Sequence, residues 1–230
     1  MRGWIACAAA LAACGGNDEH VPERPIDAAI DAVPLDAATD ATELDGPAAL
    51  PDLSLDESRM AGTVLIQEQF FAAGACELLE GCIGAAGTRR LLRFSTVSAN
   101  LGEGDVRMGP PEQNPAFAYS ACHGHYHLTG FADYALVGPG GVVVGGHKQA
   151  FCLFDSIQLD GSKPSHGYDC GNQGISAGWA DSYPRNLPCQ WIDITDVPPG
   201  AYTLRVEVNP TGVIAETDRT NNILELPVAF

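Results

Sequence analysis

Apolar and polar positions alternate most cleanly near the C-terminus. Over residues 201–208, Tyr202, Leu204, Val206 and Val208 fall on one side of a two-residue period, the mark of a half-buried strand. Residues 223–228 repeat this with Leu224, Leu226 and Val228 in phase, after a polar turn over 218–222. Residues 190–194 read as a strand that ends at the turn Val197-Pro198-Pro199-Gly200. Further upstream, 131–137 and 142–144 flank Gly138-Pro139-Gly140-Gly141 and read as a hairpin. Residues 91–98 and 149–154 are expected as single strands, and 61–71 as a short helix or a strand leading into the Cys76/Cys82 loop. From 161 to 188 the chain is rich in Gly, Ser, Asn, Pro and Asp and lacks a period, so it is expected to be one long irregular stretch, of the kind that often carries function. The prediction for residues 52–230 is one all-β domain: an antiparallel β-sandwich core with long disulfide-pinned irregular loops.

The same two-residue period occurs with a different chemistry in Cys122-His123-Gly124-His125-Tyr126-His127, which holds half of the 6 histidines. Alternate strand residues share a face, so three imidazoles are offered together, and imidazole suits copper or zinc. Residues two apart are about 7 Å apart along an extended strand. The rings can therefore meet one ion only if the strand bends, and Gly124 permits a bend. The competing reading is a polar strand face that binds nothing.

Charge and the N-terminus set the address. The formal net charge is −17. Residues 17–59 carry 12 acidic and 2 basic residues, and 60–230 carry 17 acidic and 9 basic. That balance argues against nucleic acid and is compatible with cationic partners such as amines. Residues 1–14 place Arg2 before a short apolar run, which is an export signal and too short to span a membrane. Leu11-Ala12-Ala13-Cys14-Gly15 resembles the bacterial lipobox, which implies a lipid anchor on Cys14 and a cell-envelope location, with Gly15 favouring an outer membrane; an ordinary cleaved signal is the alternative. Residues 15–51 form an acidic Asp/Ala-rich tether with too little apolar surface to fold.

Apart from Cys7 and Cys14, the cysteines are Cys76, Cys82, Cys122, Cys152, Cys170 and Cys189, so six remain of 8. An even number in an exported chain suggests three disulfides, with 15 possible connectivities. No Cys-x-x-Cys pair is present, which argues against a zinc ribbon.

Lysine is confined to Lys148 and Lys163. A lone lysine is usually a solvated charge, and a lone tyrosine such as Tyr183 usually packs in a core or an interface. Their context changes this. Cys76-Glu77-Leu78-Leu79-Glu80-Gly81-Cys82, the histidine run, Gly146-His147-Lys148-Gln149-Ala150-Phe151-Cys152 and Asp181-Ser182-Tyr183 occur in that order. They are followed by Cys189-Gln190-Trp191-Ile192-Asp193-Ile194-Thr195-Asp196, by Val208-Asn209-Pro210 and by Glu216 to Asn222. Together, from about residue 52 to the end, these segments resemble the catalytic domain of the lysyl oxidase family, the copper and quinone amine oxidases.

The resemblance implies copper on His123, His125 and His127. It implies a lysine tyrosylquinone cross-linked from Lys148 and Tyr183. The activity expected is oxidation of primary amines, lysine side chains of extracellular proteins or small amines, by dioxygen to aldehyde, ammonia and hydrogen peroxide. By the same analogy, Cys76 pairs with Cys122, Cys82 with Cys189, and Cys152 with Cys170. A further family bridge is missing where this chain has Trp179, so the segment around Tyr183 is expected to be looser. Ser120 replaces a histidine of animal members and is read as dispensable for the metal. Asp181, two residues from Tyr183, is the first candidate for the general base and His147 the second; a turn-stabilising side chain is the other reading of Asp181. Two other functions stay open: a non-catalytic metal-binding β-sandwich module for adhesion, and a zinc hydrolase, which lacks an obvious Glu base beside the histidines.

Overall fold

The structure is a computed structural model that describes residues 48–146 and 152–230. The export signal, Cys14 and most of the tether fall outside the described residues, as do His147 and Lys148.

Fifteen strands are described: β1 (Leu53–Leu55), β2 (Leu65–Phe71), β3 (Gly87–Arg93), β4 (Thr96–Asn100), β5 (Val106–Gly109), β6 (Phe117–Ser120), β7 (His125–Leu128), β8 (Ala132–Gly138), β9 (Gly141–Gly146), β10 (Ile157–Gln158), β11 (Gln173–Ile175), β12 (Trp179–Tyr183), β13 (Trp191–Asp193), β14 (Ala201–Val208) and β15 (Ile223–Ala229). Two single-turn helices interrupt them, α1 (Glu57–Met60) and α2 (Cys76–Leu79). Every described strand pairing is antiparallel. One four-stranded sheet runs β15-β14-β8-β9 and another runs β1-β4-β12-β10. A three-stranded sheet, β13-β3-β2, and the pairs β11-β5 and β6-β7 complete the set.

The alternation over 201–208 produces β14 as expected: Leu204, Val206 and Val208 are fully buried, and β15 runs antiparallel to it from Ala201↔Ala229 to Glu207↔Ile223. Their inward faces join Tyr134 and Leu136 of β8, Val97 and Ala99 of β4, and Ala180 and Tyr183 of β12 in one apolar core. Each fully buried aliphatic side chain there contributes about 1.5–3 kcal/mol relative to exposure. Glu216 ties the termini of the domain together: its carboxylate accepts from the Leu53 backbone N–H at 2.9 Å and from Asn222 Nδ2 at 2.8 Å.

The 61–71 segment, expected as a short helix or a strand, holds both: a one-turn 3-10 helix and then β2. Several other expected elements come out differently. The single strand expected over 91–98 is broken between β3 and β4, because the two halves serve different sheets: β3 pairs with β2 and β13, and β4 with β1 and β12. Residues 152–154 are not strand; Leu153 is instead buried and held by its N–H on Gln173 Oε1 at 2.9 Å. The irregular stretch 161–188 contains β11 and β12, and β12 is interior, hydrogen-bonded to β4 on one edge and β10 on the other. Trp179, where a half-cystine of the further bridge was expected to be lacking, donates its indole N–H to the Lys163 carbonyl at 3.1 Å.

The three disulfides are Cys76–Cys122, Cys82–Cys189 and Cys152–Cys170, the pairing that the family resemblance implies.

Candidate active site

The histidine run is a bent hairpin. Strands β6 and β7 pair from Phe117↔Leu128 to Ser120↔His125, and residues 121–124 make the turn, closed by Gly124 N–H on the Ser120 carbonyl at 2.8 Å. Gly124 has φ +70°, in the left-handed region where a side chain is disfavoured. This is the bend that the spacing demanded. His125 and His127 alternate on β7, while His123 lies in the turn, one residue before the bend.

The three rings gather. Their centroids are 5.8 Å apart for His123–His125, 5.3 Å for His123–His127 and 4.8 Å for His125–His127. Imidazoles that bind one ion through nitrogens at about 2 Å have centroids roughly 5 Å apart, so the spacing fits a shared metal. His125 Nδ1 lies 3.1 Å from the His123 carbonyl, an oxygen that can only accept. Nδ1 is therefore the donor in that contact, and Nε2 faces His127 Nε2 at 3.1 Å. Two imidazole nitrogens at that separation also suit two ligands of one ion. His123 Nε2 is 2.8 Å from Glu80 Oε2. Glu80 lies close to the sulfurs of Cys82 and Cys189 as well, but those are bonded to each other and offer no thiolate to a metal.

Asp181 and Tyr183 alternate on β12, so their side chains share a face, opposite Ser98 and Thr96 of β4. Asp181 is completely buried and Tyr183 almost so. Burial, and then the neighbouring Asp181 charge and its hydrogen bond, hold the Tyr183 phenol well above the ordinary tyrosine range. Tyr183 packs on Phe131 with centroids 6.3 Å apart. A buried polar group adjoins it. Gln190 Nε2 donates to the Tyr134 hydroxyl at 2.9 Å and lies 3.4 Å from Thr96 Oγ1, and burial raises the Tyr134 phenol as well.

Lys148 and His147 lie outside the described residues, and the residues on either side of that gap are tied into the fold. Gly146, the last residue of β9, pairs with Tyr134, and its Cα packs so closely on Ile192 and Tyr134 that a Cβ would sit 2.9 Å from each. Cys152, on the other side, is buried and bridged to Cys170.

Sequence reasoning assigned no role to Glu80 and set Ser120 aside. In the fold, Ser120 Oγ donates to Glu80 Oε1 at 2.7 Å, and the His123 N–H donates to Ser120 Oγ at 3.3 Å. The available signal was an acidic residue between two half-cystines, one of them Cys76, whose partner Cys122 precedes His123.

Fold and site together define a disulfide-pinned antiparallel β domain with a tri-imidazole cluster on a bent hairpin and a buried phenol–carboxylate pair. The family model described as lysyl oxidase matches residues 51–230. The chain is 40% identical over 185 residues to lysyl oxidase homolog 3 of Homo sapiens, covering 76% of this chain and 24% of that relative. It is 38% identical over 185 residues to lysyl oxidase homolog 2A of Danio rerio, covering 76% of this chain and 25% of the relative. Over 188 residues it is 38% identical to lysyl oxidase homolog 2 of Homo sapiens, again covering 76% and 24%. The chain thus spans about a quarter of the length of these relatives. It belongs to the lysyl oxidase family.

Proposed function

We propose that this protein is a copper-dependent amine oxidase that converts primary amines to aldehydes. The observation that carries the reading is the gathering of His123, His125 and His127 by the Gly124 bend, in a chain of this family. The overall reaction consumes a primary amine, dioxygen and water, and yields an aldehyde, ammonia and hydrogen peroxide. Copper with dioxygen would supply the oxidation that joins Lys148 to Tyr183 as lysine tyrosylquinone, and the quinone would supply an electrophilic carbonyl and electron sink.

The chain's own residues have distinct tasks. His123, His125 and His127 hold the metal. Tyr183, buried on β12 with its phenol kept neutral, presents a ring in a site shielded from water. Asp181, buried on the same face of β12 as Tyr183, is the proposed oxygen base for the α-proton of the amine. Lys148 lies between Gly146, paired with Tyr134, and Cys152, bridged to Cys170, and is the proposed amine of the cross-link. The acidic surface, 17 acidic to 9 basic residues over 60–230, draws cationic amines toward the domain. The substrate class is lysine side chains of extracellular proteins or small amines. Three disulfides suit an exported protein, and Cys14 is the proposed point of lipid attachment to the cell envelope.

The test is amine-dependent release of hydrogen peroxide by the copper-loaded protein, with a redox-cycling quinone stain of the same chain. Lys148→Ala is expected to abolish both. Full activity and staining in that variant would refute the cross-link, and metal binding with neither signal would favour the non-catalytic surface module.

A further inference from the structure

Glu80 is an acidic side chain in contact with the histidine cluster, and its placement is elaborate for a carboxylate. It sits at the C-terminal end of α2, a single turn that begins at Cys76. Gly81 follows in the left-handed conformation (φ +75°), and the Cys82 N–H closes the loop on the Glu77 carbonyl at 2.8 Å. Both half-cystines of this loop are bridged to other parts of the fold, Cys76 to Cys122 and Cys82 to Cys189. The first bridge fixes the loop to the residue immediately before His123. The backbone of Glu80 therefore has little freedom relative to the imidazole it faces.

The carboxylate has two oxygens and two partners. Oε1 accepts from Ser120 Oγ at 2.7 Å, and Oε2 lies 2.8 Å from His123 Nε2. Both Glu80 and His123 are largely buried, with side chains 13% and 12% exposed, so water competes weakly for this contact. A carboxylate beside an imidazole nitrogen favours the proton there and so orients the ring for ligation.

We propose that Glu80 is a positioning residue for the metal centre: it holds the Nε2–H of His123, fixes the ring's tautomer and orientation, and is itself oriented by Ser120. The inference rests on the reading of His123, His125 and His127 as metal ligands and adds an outer layer to it. The environment of the pair, in which a bridged loop carries the carboxylate and the β6–β7 turn carries the imidazole, also gives the disulfides a role in metal binding.

The test uses the whole metal-free protein titrated with copper(II) under nitrogen. Affinity is read by chelator competition and the ligand set by electron paramagnetic resonance. Glu80→Ala is expected to lower copper affinity 10–100-fold and to shift the copper signal. Glu80→Gln keeps an acceptor oxygen and is expected to recover part of the loss. Ser120→Ala is expected to give a smaller loss in the same direction. Thermal melting of each metal-free variant separates this from misfolding, since the affinity loss is expected in variants that melt as wild type does. Wild-type affinity and an unchanged signal in Glu80→Ala would overturn the proposal, as would losses that track melting alone, with no recovery in Glu80→Gln. Failure of the wild-type protein to bind copper, or retention of its affinity in His123→Ala, would instead overturn the ligand reading on which it rests.

Discussion

Gly124 converts a straight row of histidines into a cluster, and it does so through backbone conformation alone. Nothing lies within 4 Å of where its Cβ would be, so Gly124→Ala meets no clash and pays only for φ +70°. That cost is about 1–2 kcal/mol. The expected outcome is a melting temperature lowered by a few degrees together with weaker copper binding; unchanged binding in the variant would mean that the bend does not shape the site. At Tyr183, the variant Tyr183→Phe should keep the fold with some loss of stability, because the ring still fills the core beside Phe131 while the buried Asp181 loses the neighbouring hydroxyl. It should lose the quinone stain entirely, and a stain retained in the variant would exclude Tyr183 as its source. The bend was legible in the sequence, since a two-residue histidine period and a glycine left few other ways for three rings to meet. Glu80 was not: its place beside His123 depends on bridges spanning 46 and 107 residues, and no local pattern encodes contacts of that range.

Among the elements, β14 and β15 were readable because one face of each is buried and the other wet, which imprints a period of two on the sequence. β12 was not readable. Trp179-Ala180-Asp181-Ser182-Tyr183 is buried over most of its length and paired on both edges, so polar and apolar residues alike point inward and no alternation survives. The consequence for the site is favourable: Asp181 and Tyr183 stand on an interior strand instead of a loop. The Cys152–Cys170 bridge, with a sequence separation of 18, pins the chain at Cys152, four residues after Lys148 in sequence. Replacing both cysteines with alanine should lower stability by about 3 kcal/mol. It should also reduce the yield of cross-linked quinone while leaving copper affinity near wild type, since the histidine hairpin is held by the other two bridges. A normal yield would show that the bridge does not position Lys148.

For the molecule as a whole, acid is the expected weak point. Burial raises the Asp193 carboxyl, but hydrogen bonds from Thr195, the Gly84 N–H and Arg89 outweigh it and hold its pKa below the ordinary range. A carboxyl depressed in the folded state adds stability above its unfolded pKa, about 3.9, and that stability is lost as pH falls through the folded value. Thermal stability should therefore drop below about pH 4. Asp193→Asn should flatten part of the decline and cost about 1–3 kcal/mol at neutral pH, because Arg89, 2.8 Å away and mostly buried, keeps only the exposed Asp196 carboxylate at 3.6 Å. An unaltered pH profile in the variant would assign the acid sensitivity elsewhere. The central proposal is that bound copper joins Lys148 to Tyr183. Its most direct test is mass spectrometry of peptides from the copper-loaded, aerated protein. The account predicts a single covalently linked species containing Lys148 and Tyr183, absent from protein kept metal-free; separate, unmodified Lys148 and Tyr183 peptides from copper-saturated protein that still oxidises amines would contradict it.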